Sequence, residues 1–282
     1  MGRYFEQVMQ EEGLNMIAEN PCKLLDFGKL VLGEKRRAYD GNTGDSELVI
    51  VILSGTCDVK VGGQSFNGIG GRSSVFHGKP YALYIPPKTD YELTISSEKT
   101  HRLEAAFAFA KAAKEQAAFV IKPDEVVTGK WGISNFARDF RLILVEGVHQ
   151  HSVNRLIVGE TLVPSGNWAT YPPHKHEKDD PPREVFMEEM YYFKVSPPEG
   201  WGLAKCYTED GELDEVKTIR DETILKMPKG YHTVVSAPGC VMYYLWFLAG
   251  NTRTQRAVTD PKLAWIEKAI PMIGNIKENL SI

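Results

Sequence analysis

Apolar and polar residues follow one another in short runs along most of this chain, and turn-forming residues separate the runs. In the first half the runs are residues 24–32 (LLDFGKLVL), 47–55 (ELVIVILSG), 57–63 (CDVKVGG), 73–78 (SSVFHG) and 81–87 (YALYIPP), with the loop DGNTGDS at 40–46. Their spacing and their density of Val, Ile and Tyr predict the strands of an all-β sandwich or barrel. ELVIVILSG is apolar throughout, as expected of a strand covered on both faces. Pro86 and Pro87 close this half at a strand end, where a missing N–H donor does least harm. Residues 103–118 are rich in alanine, which favours a helix. The alternation in RLEAAFAFA and its place at the end of a β-rich half favour a strand to about Ala108 followed by a short helix, and the local pattern alone leaves the two readings in balance. Two further strands are expected in ARDFRLILVEG (137–147) and VNRLIVGETLVPSG (153–166), and a buried one in CVMYYLWFLAG (240–250). Helices are predicted at the ends. One is amphipathic over residues 4–18 and stops near Asn20-Pro21. The other starts at Asp260-Pro261, with Asp as cap and Pro at the first helical position, and turns Leu263, Ile266 and Ile270 toward the β body.

Composition narrows the function classes. The chain has 282 residues, 43% of them hydrophobic and 25% charged. That suffices for one large or two ordinary domains, each burying roughly 70% of its unfolded surface. A net charge of −4 with a pI near 6.0 gives no electrostatic reason to expect nucleic acid or an anionic membrane as partner. A small anion remains open through local Arg and Lys. The four cysteines, Cys22, Cys57, Cys206 and Cys240, form no CxxC unit, so reduced thiols and a cytoplasmic setting are expected. The opening MGRYFEQVMQEEGLN lacks the apolar core of a signal peptide, and no apolar run approaches the roughly 20 residues of a membrane span. IGGRSS sits between strand-like segments, so its glycines do not suggest a phosphate cradle.

Candidate chemistry concentrates in residues 166–200, GNWATYPPHKHEKDDPPREVFMEEMYYFKVSPPEG, read with PKGYH at 228–232. On an extended strand His174 and His176 leave the same face and only Lys175 points away. The polar, Pro-rich EKDDPPREVF reads as the loop of a hairpin that brings Glu188, Glu189 and the aromatic run MYYF beside the histidines. His232, beside a Pro-x-Gly turn, supplies a third imidazole. Neutral imidazoles plus a carboxylate, with positions left for water or substrate, suit one divalent transition metal: zinc, manganese, iron or nickel. Glu188 and Glu189 point to opposite faces, and alternation alone does not choose between them. In the first half Glu47 is the one carboxylate near an equivalent strand and no HxH accompanies it, while His77 lacks partners and reads as a structural or surface residue.

Gly166, His174, His176, the Glu188-Glu189 pair and Gly200 resemble the first motif of the cupin superfamily, and Pro228, Gly230 and His232 its second. With NWATYPPHKH, EEMYYF, GYH, YYLWFLAG, Arg253 and DPKLAWI, most of the chain resembles the 5-deoxy-glucuronate isomerases of myo-inositol breakdown. The resemblance implies an all-β bicupin with short peripheral helices. It implies a structural, metal-free amino-terminal cupin over residues 1–125 and a metal-binding one over 126–282. The related 4-deoxy-uronate isomerases carry their ligand between a Met and an aromatic strand, which favours Glu188 over Glu189 as the carboxylate beside His174, His176 and His232. The implied reaction is an aldose–ketose isomerisation of 5-deoxy-D-glucuronate to 2-deoxy-5-keto-D-gluconate, with a divalent metal offsetting the charge of an enediolate. Candidates for the general base are Glu189, Lys205 and Tyr192. Candidates for holding the substrate carboxylate are Arg155, Lys175, Arg183 and Arg253. Exposed sheet edges commonly find partners or covers, which leaves a homo-oligomer open. The same motifs also suit a metal-dependent cupin dioxygenase, or a non-catalytic bicupin that binds a sugar acid.

Overall fold

A computed structural model describes residues 3–96, 100–113 and 116–270. Its strands are β1 (Phe5–Gln7), β2 (Gly13–Met16), β3 (Leu25–Leu32), β4 (Ala38–Asn42), β5 (Ser46–Ser54) and β6 (Thr56–Val61). There follow β7 (Gln64–Gly70), β8 (Ala82–Ile85), β9 (Asp90–Ile95), β10 (Leu103–Lys111) and β11 (Phe119–Ile121). The second half holds β12 (Val127–Trp131), β13 (Arg138–Leu144), β14 (Ile157–Val163), β15 (Trp168–Lys175), β16 (Met187–Ser196) and β17 (Gly202–Tyr207). It closes with β18 (Asp214–Ile219), β19 (Thr223–Met227), β20 (Tyr231–Ser236), β21 (Val241–Gly250) and β22 (Val258–Thr259).

Four sheets form two sandwiches. The first joins β11-β8-β5-β10-β3-β2 to β4-β9-β6-β7, and the second joins β1-β19-β16-β21-β14-β13-β12 to β18-β17-β20-β15-β22. Each sandwich has its own apolar interior, and a third cluster draws on the large sheets of both, which therefore meet back to back. Strand phase assigns each side chain. On β5, Leu48, Ile50 and Ile52 face the interior of the first sandwich, while Val49, Val51 and Leu53 face the seam. On β16, Tyr191 and Phe193 face the interior of the second, while Met190 and Tyr192 face the seam. This two-sided burial is why ELVIVILSG and MYYF are continuously apolar.

Two carboxylates lock the seam. Glu47, second residue of β5, accepts hydrogen bonds from the backbone N–H groups of Asn154, Arg155 and Leu156, just before β14. Glu188, second residue of β16, accepts them from Lys23, Leu24 and Leu25 at the start of β3. Each half thus reaches into the other by the same device. A buried ionic cluster adds Lys29 with Glu104 at 2.9 Å and with Glu222 at 2.7 Å, joined by Lys194.

The helix expected over residues 4–18 is instead β1 and β2. The apolar positions of the segment serve two strand edges, β1 pairing with β19 (Phe5↔Leu225) and β2 with β3. After Ala108 the strand continues to Lys111, and residues 119–121 pair with β8 as another strand, so no helix lies between the two among the described residues. Lys114 and Glu115 lie outside them. At the carboxy-terminal end, residues 261–264 form turns and 265–270 a helix, with Ile266 buried against the β body. No described helix is long and apolar enough to cross a membrane. All four cysteines are buried and free.

Candidate metal centre

The second sandwich gathers His174, His176, Glu189 and His232 so that one ligand atom from each lies within 4.8 Å of the others. His174 and His232 are direct cross-strand partners on β15 and β20, and His176 follows two residues on. Gly230 sets the entry to β20. Its φ of +94° requires glycine, and a Cβ there would meet the Tyr207 carbonyl oxygen at 2.8 Å. Register is lost between Ala169 and His174, where Thr170 has a φ of +53°. The resulting kink lifts residues 170–172 into the wall of a cavity.

Glu189 arrives from the opposite sheet. β15 and β16 do not pair, so EKDDPPREVF is a crossover between the sheets of the sandwich rather than the expected hairpin loop. Backbone phase decides which glutamate takes part. Position 189 shares the inward face with Tyr191 and Phe193, whereas Glu188 faces the seam, its carboxylate occupied by three N–H groups. The placement is the reverse of the expectation drawn from the 4-deoxy-uronate isomerases: Glu189, and not Glu188, stands with the histidines.

The polar geometry leaves room for a cation. His176 Nδ1 is 2.7 Å from the Met187 carbonyl oxygen, which can only accept, so Nδ1 carries the hydrogen. In the neutral ring Nε2 then presents a lone pair to Glu189 Oε2 at 3.0 Å. His232 Nε2 stands 3.1 Å from the same oxygen, yet is buried without a hydrogen-bond partner. Lone pairs converging in a buried space repel unless a proton or cation lies among them, and this donor set is one that transition metals take. Burial, with the neighbouring His232 and His176, holds His174 well below its ordinary value. Burial also works against protonation of His176, but the Glu189 carboxylate outweighs it and raises the value. Glu189 itself is held below the usual carboxylate range: burial opposes this, and the adjoining imidazoles of His176 and His232 overcome it.

His174 and Glu189 form the floor of a cavity of about 490 Å3 whose walls include Trp131, Tyr171, Tyr191, Tyr244 and Trp246. Trp246 fits because position 159 is glycine; a Cβ there would lie 2.1 Å from the indole. Burial and the adjacent Glu189 push the Tyr191 phenol up, and burial takes that of Tyr244 to about 12, so both stay protonated.

The other sequence-derived candidates lie elsewhere. Tyr192 has the seam phase and donates to Glu222. Lys205 is half-exposed on β17 and pairs with Asp214. Lys175 points away from the histidines to Glu177 and Glu184, and Arg183 is exposed beside Asp180. Arg155 donates to the Gly250 carbonyl at 2.7 Å and Arg253 to that of Leu156 at 3.1 Å, both at the seam. Sequence reasoning missed Tyr191, Tyr244 and Arg138, all of which line the cavity. The available signal was phase: Tyr191 shares it with Glu189, and Arg138 with Phe140 and Leu142.

Two back-to-back jelly-roll sandwiches, one carrying three imidazoles and a carboxylate on its inner face, define a bicupin with a candidate metal centre. Within that class the chain belongs to the KduI/IolB family, whose profile matches residues 7–266. It is 33% identical over 261 residues to the 5-deoxy-glucuronate isomerase of Bacillus velezensis, spanning 90% of this chain and 94% of that one. It is 34% identical over 225 residues to the enzyme of the same name from Geobacillus kaustophilus, covering 79% of each. Among solved structures, an IolB-like protein from Salmonella typhimurium superposes with a TM-score of 0.84 at 28% identity, over 94% of this chain and 99% of the other. Bacillus subtilis oxalate decarboxylase superposes with a TM-score of 0.61 at 11% identity, over 91% of this chain and 79% of that one, a likeness of fold alone.

Proposed function

We propose that this protein is a metal-dependent aldose–ketose isomerase that converts 5-deoxy-D-glucuronate to 2-deoxy-5-keto-D-gluconate. The observation that carries the reading is the convergence of His174, His176, His232 and Glu189, with His174 and Glu189 at the floor of a cavity, in a member of a family whose curated relatives bear that enzyme's name. These four side chains would hold one divalent transition metal of the zinc, manganese, iron or nickel type. Bound there, such a cation supplies Lewis-acid stabilisation of the negative charge that develops when the proton beside an aldehyde is removed.

The chain's own groups do the rest. The protonated phenols of Tyr191 and Tyr244 can donate hydrogen bonds to an oxyanion as it forms. Trp131, Tyr171 and Trp246 enclose the cavity and limit water around the reacting carbons. Residues 1–125 are proposed as a structural, metal-free cupin and 126–282 as the working one. Supporting this division, the third residue of β5 is Leu48 where the third of β16 is Glu189.

A coupled assay with 5-deoxy-D-glucuronate on metal-loaded, chelated and reloaded protein tests the reading. Turnover should vanish on chelation, return on reloading, and fall at least about 100-fold in His174→Ala. Turnover indifferent to both chelation and this substitution would overturn it.

A further inference from the structure

Arg138 is the one cationic Lys or Arg side chain among the described residues that line the cavity. It begins β13 directly opposite Trp131 of β12, and its guanidinium lies 5.6 Å from the Trp131 ring centroid. Of its five N–H donors, one reaches protein: Nη1 donates to the Phe136 carbonyl at 3.3 Å. Nε is buried with no hydrogen-bond partner. Among the described residues no carboxylate stands within ion-pair distance of it. Glu267, which also lines the cavity, is engaged by the Thr259 hydroxyl.

A half-buried guanidinium stacked on an indole, with its fork unfilled, is the arrangement that takes a carboxylate by two parallel hydrogen bonds. Leaving a buried N–H of a cation unpaired is unfavourable, so an arriving anion offsets the cost of a guanidinium that the protein's own groups leave unsatisfied. We propose that Arg138 is the anchor for the carboxylate of a sugar acid whose carbonyl end faces His174 and Glu189, and that it selects acids over neutral sugars. The inference rests on the preceding reading and deepens it, placing the anion subsite on β13 rather than on Arg155, Lys175, Arg183 or Arg253.

The experiment measures equilibrium binding of D-glucuronate and its uncharged amide to the metal-loaded full chain, with turnover of 5-deoxy-D-glucuronate followed in parallel. The wild-type protein should prefer the acid, and Arg138→Gln should lose about 10- to 100-fold in affinity for it while binding the amide as before. Arg138→Lys, which keeps the charge and loses the fork, should fall between them. Arg183→Gln, on the exposed surface, should match the wild type. In turnover, Arg138→Gln should raise KM far more than it lowers kcat. Acid preference undiminished in both Arg138 variants would overturn the inference even if the wild type isomerises the substrate. An acid preference present in the wild type and lost in Arg138→Gln, with no turnover of 5-deoxy-D-glucuronate by the wild type, would uphold the anchor and remove the isomerase reading instead.

Discussion

Glu188 and its neighbour Glu189 carry the same side chain into two unlike surroundings, three backbone N–H groups on one side of β16 and two imidazole nitrogens on the other. Substitution should separate the two roles. Glu189→Gln is expected to lower metal affinity by more than the ~10–100-fold that loss of an outer-sphere partner costs, with little change in folding. Metal content after dialysis checks this. Glu188→Ala should keep its metal but lose about 3 kcal/mol of stability, because the three donors at the start of β3 are left without an acceptor. A urea titration reads that loss. The two results exchanged would show that the assignment by strand phase is wrong.

At the scale of elements, phase explains both what was legible in the sequence and what was not. The strands were readable because alternation and turn residues are local properties, and the HxH and GYH motifs were readable because their spacing is local too. The choice between adjacent glutamates was not, since both faces of β16 are buried and the sequence carries no polar face to set the register. Glu188, which the family likeness favoured, and Tyr192, a candidate base, both fall on the same side of β16: they share the seam face, as Glu189 and Tyr191 share the cavity. The helix expected over residues 4–18 failed for another reason. Its strands are held by partners on β19 and β3, which no local pattern reveals. Two predictions belong here. Gly159→Ala on β14 forces the Trp246 indole aside, and should cost about 1–3 kcal/mol together with a loss of kcat/KM. Glu104 on β10 is held at about 2, because Lys29 and Lys194 overcome the burial that would otherwise raise it. Its folded value lies below the ordinary 4.5, so the stability it adds is fully present above pH 4.5 and is lost as pH falls toward 2. The stability gap between wild type and Glu104→Gln, by urea unfolding from pH 7 to 3, should be at most about 3 kcal/mol at neutral pH and shrink below pH 4.5.

At the scale of the molecule, the two halves are bound by reciprocal clasps, Glu47 reaching forward to the start of β14 and Glu188 back to the start of β3. The seam and the candidate metal centre are thereby independent: Glu188 and Tyr192 serve one face of β16 while Glu189 and Tyr191 serve the other. A divalent transition metal at 100 times its Kd should stabilise the folded chain by about 2.7 kcal/mol. For a chain of this size that is a rise in Tm of several degrees, absent in His174→Ala; scanning calorimetry with and without a chelator measures it.

The placement of β1 also bears on how the protein comes into being. Glu6 of β1 contacts Lys226 of β19, 220 positions further along the chain. At ribosomal speeds of about 5–20 residues per second, Phe5–Gln7 waits some 10–45 s after its own synthesis before the edge that receives it exists. Until then its neighbours can already join β3 through β2, so the leading segment hangs tethered beside a nearly finished first sandwich. The pairing of β1 is therefore completed only after the long stretch that separates it from β19 has been made.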